Sequence, residues 1–86
     1  MVYKIQLMAV RNFNSNQARF NLPKNYGTLE TEYLGGKNLT RVLLSNFSTK
    51  EEAERVLEAM KSASPDYKTS VIVRYENGVR IDPWAK

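Results

Sequence analysis

The chain has 86 residues with 13 Lys and Arg against nine Asp and Glu, which gives a formal net charge of +4. This length predicts a single domain of modest stability, because so short a chain buries only about 60 to 65% of its surface. The chain has no Cys and no His, so disulfides, thiolate metal sites and the commonest general bases and transition-metal ligands are excluded. Only carboxylates, Lys, Ser, Thr and Tyr are left for catalysis. The sequence has no visible acid-base pair, metal constellation or phosphate loop, so we expect no cofactor and no enzymatic activity.

The first predicted element is a strand at Val2–Val10, in which apolar and polar residues alternate. Side chains along a strand point to opposite faces in turn. One face of this strand is predicted to point into the core and comprises Tyr3, Ile5, Leu7 and Ala9. The other face comprises Lys4, Gln6, Met8 and Val10.

Residues 12–22 are rich in Asn, which favours turns and helix caps, and predict a loop followed by one or two helical turns. Pro23 breaks any longer helical pattern. Phe20 and Leu22 are expected to close one end of the core.

A second strand is predicted at Thr28–Leu34, with Leu29, Thr31 and Tyr33 facing inward. Gly35 and Gly36 then predict a hairpin into a third strand at Leu39–Leu44, which ends at Ser45 and Asn46. The third strand is strongly apolar but contains Arg41.

Ser48 and Glu51 have the spacing of a capping box and predict the start of a helix from about Thr49 to Ser62. One apolar stripe recurs at the helical period and is expected to pack on the sheet. Its members are Ala53, Val56, Leu57 and Met60.

The segment after the helix is predicted to contain a connector at 62–66, a strand at Thr69–Tyr75, an Asn77-Gly78 turn and a short strand at Val79–Ile81. The full order is strand, short helix, strand, strand, helix, strand, with the short strand added at the end. This order predicts an α+β split βαβ sandwich of the ferredoxin-like or ribonucleoprotein type. We expect an antiparallel sheet of four to five strands, with the first and third at its centre and both helices on one face.

The opposite, uncovered face of this sheet is the candidate ligand site. Alternation is expected to bring cations, an amide and apolar side chains together there, with Glu30 and Glu32 at one edge. The candidate ligand-binding residues are Lys4, Gln6, Met8, Arg41, Leu43, Ser45, Ile72 and Arg74.

Several short motifs occur in a characteristic order along the chain. They are Tyr3, Ile5 and Gln6 in the first strand, Arg41, Val42 and Phe47 in the third, Glu52 and Ala53 at the helix start, and the ending 71–81 with its Asn-Gly turn and Arg-Ile pair. In this order the chain resembles the SPOR domain, the sporulation-related repeat of bacterial envelope proteins, in the form common in Bacteroidetes. The resemblance covers nearly all of residues 2–81, so we expect one SPOR-like domain in 1–86 and a tail or linker at 82–86.

The resemblance implies a peptidoglycan-binding module that recognises glycan strands lacking stem peptides. Removing the peptide exposes a lactyl carboxylate, which Arg41 is expected to hold, while Gln6 would meet N-acetyl groups. Such a module targets a parent envelope protein to the cell wall or division septum in the periplasm. We expect this chain to be a module excised from a longer protein, with targeting information elsewhere and no membrane-spanning segment of its own.

Each candidate residue also has a purely structural interpretation. Gln6 would then be a polar residue tolerated on a wet face, and Arg41 would pair with an acidic residue of the second strand, a contact worth about 0.2 to 1 kcal/mol. Lys4 and Arg74 would be ordinary solvated charges. Trp84 would belong to the cut linker rather than to the core or the sheet.

Two other functions share this topology. A protein-interaction or dimerisation domain, including a weak homodimer, is favoured if the apolar uncovered face dimerises. RNA-recognition domains stack bases on aromatic residues of the first and third strands. Because those outward positions carry Gln6, Met8, Arg41 and Leu43, nucleic-acid binding is the weaker interpretation.

Overall fold

The strands form one five-stranded antiparallel sheet. The computed structural model describes residues 2–14 and 16–81, with only the backbone of Asn46. Its strands are β1 at Val2–Val10, β2 at Thr28–Leu34, β3 at Leu39–Phe47, β4 at Val71–Glu76 and β5 at Val79–Ile81. Their order in the sheet is β2-β3-β1-β4-β5. Its helices are α1 at Asn21–Lys24 and α2 at Lys50–Ala63, with short 3-10 turns at Ala18–Phe20, Gly35–Lys37 and Pro65–Tyr67. The predicted α+β, ferredoxin-like architecture is confirmed, with β1 and β3 at the centre of the sheet.

The main core lies between the sheet and α2. Ala53 and Met60 of α2 are fully buried, and Val56 and Leu57 pack against the same cluster, as the apolar stripe predicts. Phe20 is also fully buried and Leu22 packs beside it, so both close the core as expected. The sequence did not single out Phe13, whose ring meets Phe20 edge to face at 5.1 Å between centroids.

The helix α2 begins one residue later than the capping box predicted. Its N-cap is Thr49, whose hydroxyl accepts a hydrogen bond from the Glu52 N–H at 3.1 Å. The Glu52 carboxylate in turn accepts from the Ser48 N–H at 3.2 Å. The predicted capping pair, Ser48 with Glu51, was therefore wrong by one position. The next pair along the chain, Thr49 with Glu52, has the same side-chain chemistry and the same spacing, so the sequence pattern does not distinguish the two.

Helix α1 is a single turn that contains Pro23 instead of ending before it. Proline is tolerated there because the first-turn N–H groups of a helix have no partner within the helix. Pro23 is buried. The predicted one or two helical turns are confirmed by the 3-10 turn at Ala18–Phe20 and by α1, whereas the helix ends one residue after Pro23 instead of before it.

A β-bulge in β1 moves Met8 to the helix side of the sheet. Gln6 pairs with Leu43 and Met8 pairs with Val42, so Leu7 is an extra residue in the register. Leu7 and Met8 therefore both contact the main core. The prediction that Met8 lies on the uncovered face was wrong because strict alternation does not continue through a bulge.

The alternation predicted for β4 was inverted. Ile72 pairs with Ile5 and lies in the main core, which places Arg74 on the helix side too. The sequence Val71-Ile72-Val73 is apolar at every position, so it carries no period that distinguishes the two faces. Ile72 and Arg74 are therefore not on the uncovered face.

Tyr33 was predicted to be inward but is 67% exposed. It lies near the hairpin end of the edge strand β2, where its hydroxyl donates to Asn38 Oδ1 at 3.0 Å. Thr31 is exposed as well, so only Leu29 of the three residues predicted to be inward packs against the core. Trp84, whose position was left open, lies outside the described residues.

Candidate ligand-binding face

The sheet surface opposite the helices contains a second, smaller apolar cluster. Leu43 and Val73 have no exposed surface and Tyr75 is 2% exposed, although no described helix covers them. Val2 and Val71 pack against their edges. Leu43, a predicted ligand contact, is therefore present on this face but already buried.

A set of charged side chains and one phenol covers this cluster, and we call it the polar layer. Its members are Lys4, Glu30, Glu32, Arg41, Tyr75 and Arg80. Cross-strand pairing brings them together, since Arg41 pairs with Glu32 and Tyr75 pairs with Arg80 in the sheet register. Directly paired residues share one face, so all five strands contribute to the polar layer.

Lys4 links the edge strand β2 to the aromatic ring of β4. Its ammonium forms an ion pair with Glu30 and lies 4.6 Å from the centroid of the Tyr75 ring. The hydrogen bond from Lys4 is the main reason why the pKa of Glu30 lies below its ordinary value, opposed by burial. Lys4 is thus bound within the protein and is not an isolated surface charge.

Glu32 is the acceptor at the centre of the polar layer. Its Oε1 accepts from Arg41 Nη1 at 2.8 Å and its Oε2 accepts from the Tyr75 hydroxyl at 2.7 Å. Burial acts to raise the pKa of Glu32, but these two hydrogen bonds and the charges of Arg41 and Arg80 outweigh it, so the pKa is lowered. The structural interpretation of Arg41 as half of a cross-strand pair is confirmed.

Burial and the contact with Glu32 hold Tyr75 in its neutral form. Burial raises the pKa of its phenol, and the hydrogen bond to Glu32 and the charge of Glu32 raise it further. Arg80, which is paired with Tyr75 in the sheet register, lowers this pKa through a hydrogen-bonding contact and its charge. Tyr75 therefore donates to Glu32 throughout the neutral pH range.

Two polar atoms on this face are buried without a hydrogen-bond partner in the described part of the chain. One is Gln6 Oε1, an acceptor, and the other is Arg80 Nη1, a donor. By contrast, Ser45 is satisfied, because its hydroxyl donates to the Thr28 carbonyl at 3.4 Å. A buried polar atom that lacks a partner costs about 1 to 3 kcal/mol. Both atoms are enclosed in the present conformation, so a ligand atom would stabilise each of them once its side chain turns outward.

The predicted site residues therefore divide into two groups. The uncovered face carries Lys4, Gln6, Arg41, Leu43 and Ser45. The helix side carries Met8, Ile72 and Arg74. Arg74 lines a groove of about 710 Å³ between α2 and β4, together with Tyr3 and Leu57. A ligand on one face cannot contact both groups.

Sequence reasoning missed Tyr75 and Arg80 as members of this face. Asn77 and Gly78 have φ angles of 51° and 78°, as a two-residue hairpin turn of the type favoured by Asn-Gly requires. A two-residue hairpin fixes the strand register and pairs Glu76 with Val79 and Tyr75 with Arg80. The turn signal was recognised, and applying its register would have placed Arg80 beside Tyr75.

The described residues contain no group of three or more acidic side chains arranged to hold a metal ion. Within the same residues, no helix is long and apolar enough to cross a membrane.

The model of the SPOR domain family matches residues 2–74. The chain belongs to the SPOR domain family. Searches among curated proteins and among solved structures returned no significant match. The SPOR family is known for binding peptidoglycan, is a family of binding modules rather than of catalysts, and occurs in cell-envelope proteins. The resemblance drawn from the order of the motifs is therefore confirmed at the level of the family.

Proposed function

We propose that this SPOR domain binds peptidoglycan glycan strands that lack stem peptides, through the uncovered face of its sheet and without catalysing a reaction. In this role it carries a parent envelope protein to the cell wall or the division septum in the periplasm. The ligand would lie across β1, β3 and β4 over the polar layer, with Lys4, Gln6, Arg41 and Ser45 beneath it.

The observation that supports this proposal is the excess of positive over negative charge in the polar layer. It contains three cations, Lys4, Arg41 and Arg80, and two carboxylates, Glu30 and Glu32. An excess positive charge over a partly desolvated surface favours an anionic ligand. A glycan strand stripped of its peptides supplies lactyl carboxylates, which guanidinium groups bind through paired hydrogen bonds.

The buried Gln6 Oε1 adds a requirement for a hydrogen-bond donor. An unpaired amide oxygen in the centre of a sheet is satisfied by an N–H group. N-acetyl amides along a glycan strand carry such groups. The face therefore offers positive charge for a carboxylate and an acceptor for an amide, the two polar groups that alternate with hydroxyls on this polymer.

The structure does not favour the alternative functions. The dimerisation interpretation depended on exposed apolar residues on the uncovered face, whereas Leu43 and Val73 there are fully buried. Base stacking requires an accessible aromatic ring, whereas the ring of Tyr75 is 2% exposed and lies under the Lys4 ammonium.

The proposal is tested by titrating the isotopically labelled domain with glycan fragments prepared by amidase treatment, while its amide resonances are recorded. We expect the shifts to cluster around Gln6, Arg41 and Val73. Fragments that keep their stem peptides serve as the control ligand and should bind more weakly. Shifts confined to α2, or equal binding of both fragment types, would overturn the proposed site or specificity.

A matched pair of variants tests the face directly. Gln6→Ala should weaken binding, because it removes the unpaired acceptor. Arg74→Ala is the control, since Arg74 lies on the opposite side of the sheet in the groove beside α2, and it should leave binding unchanged. Equal losses in the two variants would mean that the ligand does not distinguish the two faces.

A further inference from the structure

The three cations of the polar layer are not equivalent. Lys4 is paired with Glu30, and Arg41 is paired with Glu32 at 2.8 Å. Among the described residues of this face, Arg80 is then the cation that forms no ion pair, although its charge acts on Glu32 from a longer distance. The excess charge of the uncovered face therefore resides on Arg80.

Arg41 is poorly placed to take a second carboxylate. Its pairing with Glu32 is reinforced from the other side by the Tyr75 hydroxyl, which donates to the second oxygen of the same carboxylate. A ligand carboxylate near Arg41 would also approach Glu32, and two like charges at close range repel each other. Binding at Arg41 therefore requires an existing pair to be broken.

Arg80 differs from Arg41 in forming no ion pair among the described residues, although its charge also acts on Glu32. It lies beside Tyr75 in the register of the β4-β5 hairpin, and its Nη1 is buried with no hydrogen-bond partner. A guanidinium has five N–H donors in a planar fork that matches a carboxylate. A ligand carboxylate at Arg80 would neutralise the excess charge without breaking either internal ion pair. It would also satisfy the unpaired donor once the guanidinium turns outward, because Nη1 is enclosed in the present conformation.

We propose that Arg80 is the residue that binds the carboxylate of the ligand, while Arg41 serves to position Glu32 and Tyr75. This assignment rests on the proposed binding of anionic glycan strands. It concerns β5, which lies beyond the residues 2–74 that the family model matches.

The positions of Arg80 and Gln6 further imply the length and direction of the ligand. Gln6 pairs with Val71 and Arg80 pairs with Tyr75, so the two residues are four positions apart along β4. At about 3.3 Å per residue this offset along the strand is about 13 Å. Because β1 and β5 lie on opposite sides of β4, the two residues are also separated by two strand spacings, about 10 Å. A single sugar cannot reach both, so the ligand is an extended chain with an amide N–H near Gln6 and a carboxylate near Arg80.

The experiment compares Arg80→Gln with Arg41→Gln by calorimetric titration of amidase-treated glycan fragments. Loss of a hydrogen bond to a charged group corresponds to a weakening of about ten- to a hundredfold, which we expect for Arg80→Gln. Arg41→Gln should have a much smaller effect. Arg55→Gln, at an exposed position of α2, controls for the change in net charge.

A chemical change in the ligand isolates the contact itself. The same fragments with their carboxyl groups converted to amides should bind the wild-type domain and Arg80→Gln with similar affinity, because the partner of Arg80 has then lost its charge. Arg80→Lys, which keeps the charge but loses the planar fork, should bind the unmodified fragments with intermediate affinity. Amide spectra of each variant verify that it is folded.

The outcomes separate the two proposals. If the wild-type domain does not bind the unmodified fragments, the proposed function fails. If it binds them but Arg41→Gln weakens binding more than Arg80→Gln, or if amidation of the ligand leaves the effect of Arg80→Gln unchanged, the assignment to Arg80 is wrong while the proposed function stands.

Discussion

At the scale of single residues, Gly27 occupies the tightest position among the glycines. A Cβ atom built on it would lie 2.5 Å from the Ser45 carbonyl oxygen, a backbone atom of β3. Gly27→Ala is therefore expected to lower the free energy of unfolding by about 1 to 3 kcal/mol, the usual cost of overpacking. Urea denaturation followed by circular dichroism measures this change.

Gly36→Ala is the matched control for Gly27→Ala. A Cβ atom at Gly36 has no neighbour within 4 Å, so this variant should be close to wild type in stability. An equal loss in both variants would show that the approach of β3 to Gly27 is not what requires glycine.

A second prediction at this scale concerns how the contribution of Glu32 to stability depends on pH. Its pKa in the folded protein is lowered from 4.5, so the ionised carboxylate stabilises the fold. This contribution is fully present above pH 4.5 and is lost as the pH falls through the lowered pKa. Urea denaturation should therefore show Glu32→Gln to be less stable than wild type at pH 7, with the difference shrinking at pH 3.

The comparison for Glu32→Gln is Glu76→Gln, which removes the same charge from an exposed position at the end of β4. At pH 7, Glu76→Gln should not cause the loss of stability expected for Glu32→Gln. A difference between Glu32→Gln and wild type that stays constant from pH 7 to pH 3 would contradict the role assigned to the carboxylate charge.

At the scale of secondary-structure elements, the cap of α2 distinguishes two adjacent hydroxyl residues. Thr49 accepts from the Glu52 N–H through its side chain, whereas Ser48 is used only through its backbone N–H. Thr49→Ala should therefore cost about 1 kcal/mol of stability, as loss of an N-cap does. Ser48→Ala should cost much less, and thermal denaturation of both variants measures the difference. If Ser48→Ala were instead the more destabilising variant, the capping box of Ser48 and Glu51 predicted from the sequence would be correct.

The elements also show which features of the fold the sequence could predict. The 3.6-residue period of α2 correctly identified the buried side chains Ala53 and Met60. The predicted faces of β4 and of the second half of β1 were wrong for different reasons. The first three residues of β4 are all apolar, so they carry no period. The bulge at Leu7 depends on how β1 pairs with β3. A sequence pattern reports the local period, whereas a bulge and the register of a uniform strand are set by partners distant in sequence.

At the scale of the whole molecule, the sheet has a stable centre and less protected margins. Strands β1 and β3 each pair on both sides, while α1 is one helical turn packed near the edge strand β2. Amide hydrogen exchange should therefore be slowest in β1 and β3 and much faster in α1, because exchange in the centre requires global unfolding. Protection in α1 equal to that in β3 would contradict this order.

The candidate site was predicted in part, and the reason lies in the arrangement of the whole sheet. Alternation correctly brought Lys4, Gln6 and Arg41 to the uncovered face. It did not reveal that Glu32 would pair with Arg41 and also accept a hydrogen bond from Tyr75. Which charges are paired depends on the order of all five strands, and that order places β2 and β4 on opposite sides of the central pair.

The short hairpin that carries Arg80 separates ligand charge from the apolar core. Strand β5 has three residues, and none of them belongs to either apolar cluster. A substitution at Arg80 therefore alters the charge of the uncovered face without removing an apolar core contact, and loses only the electrostatic support that Arg80 gives Glu32. Changing this one side chain would let the same scaffold evolve, or be engineered, toward polymers that carry less negative charge.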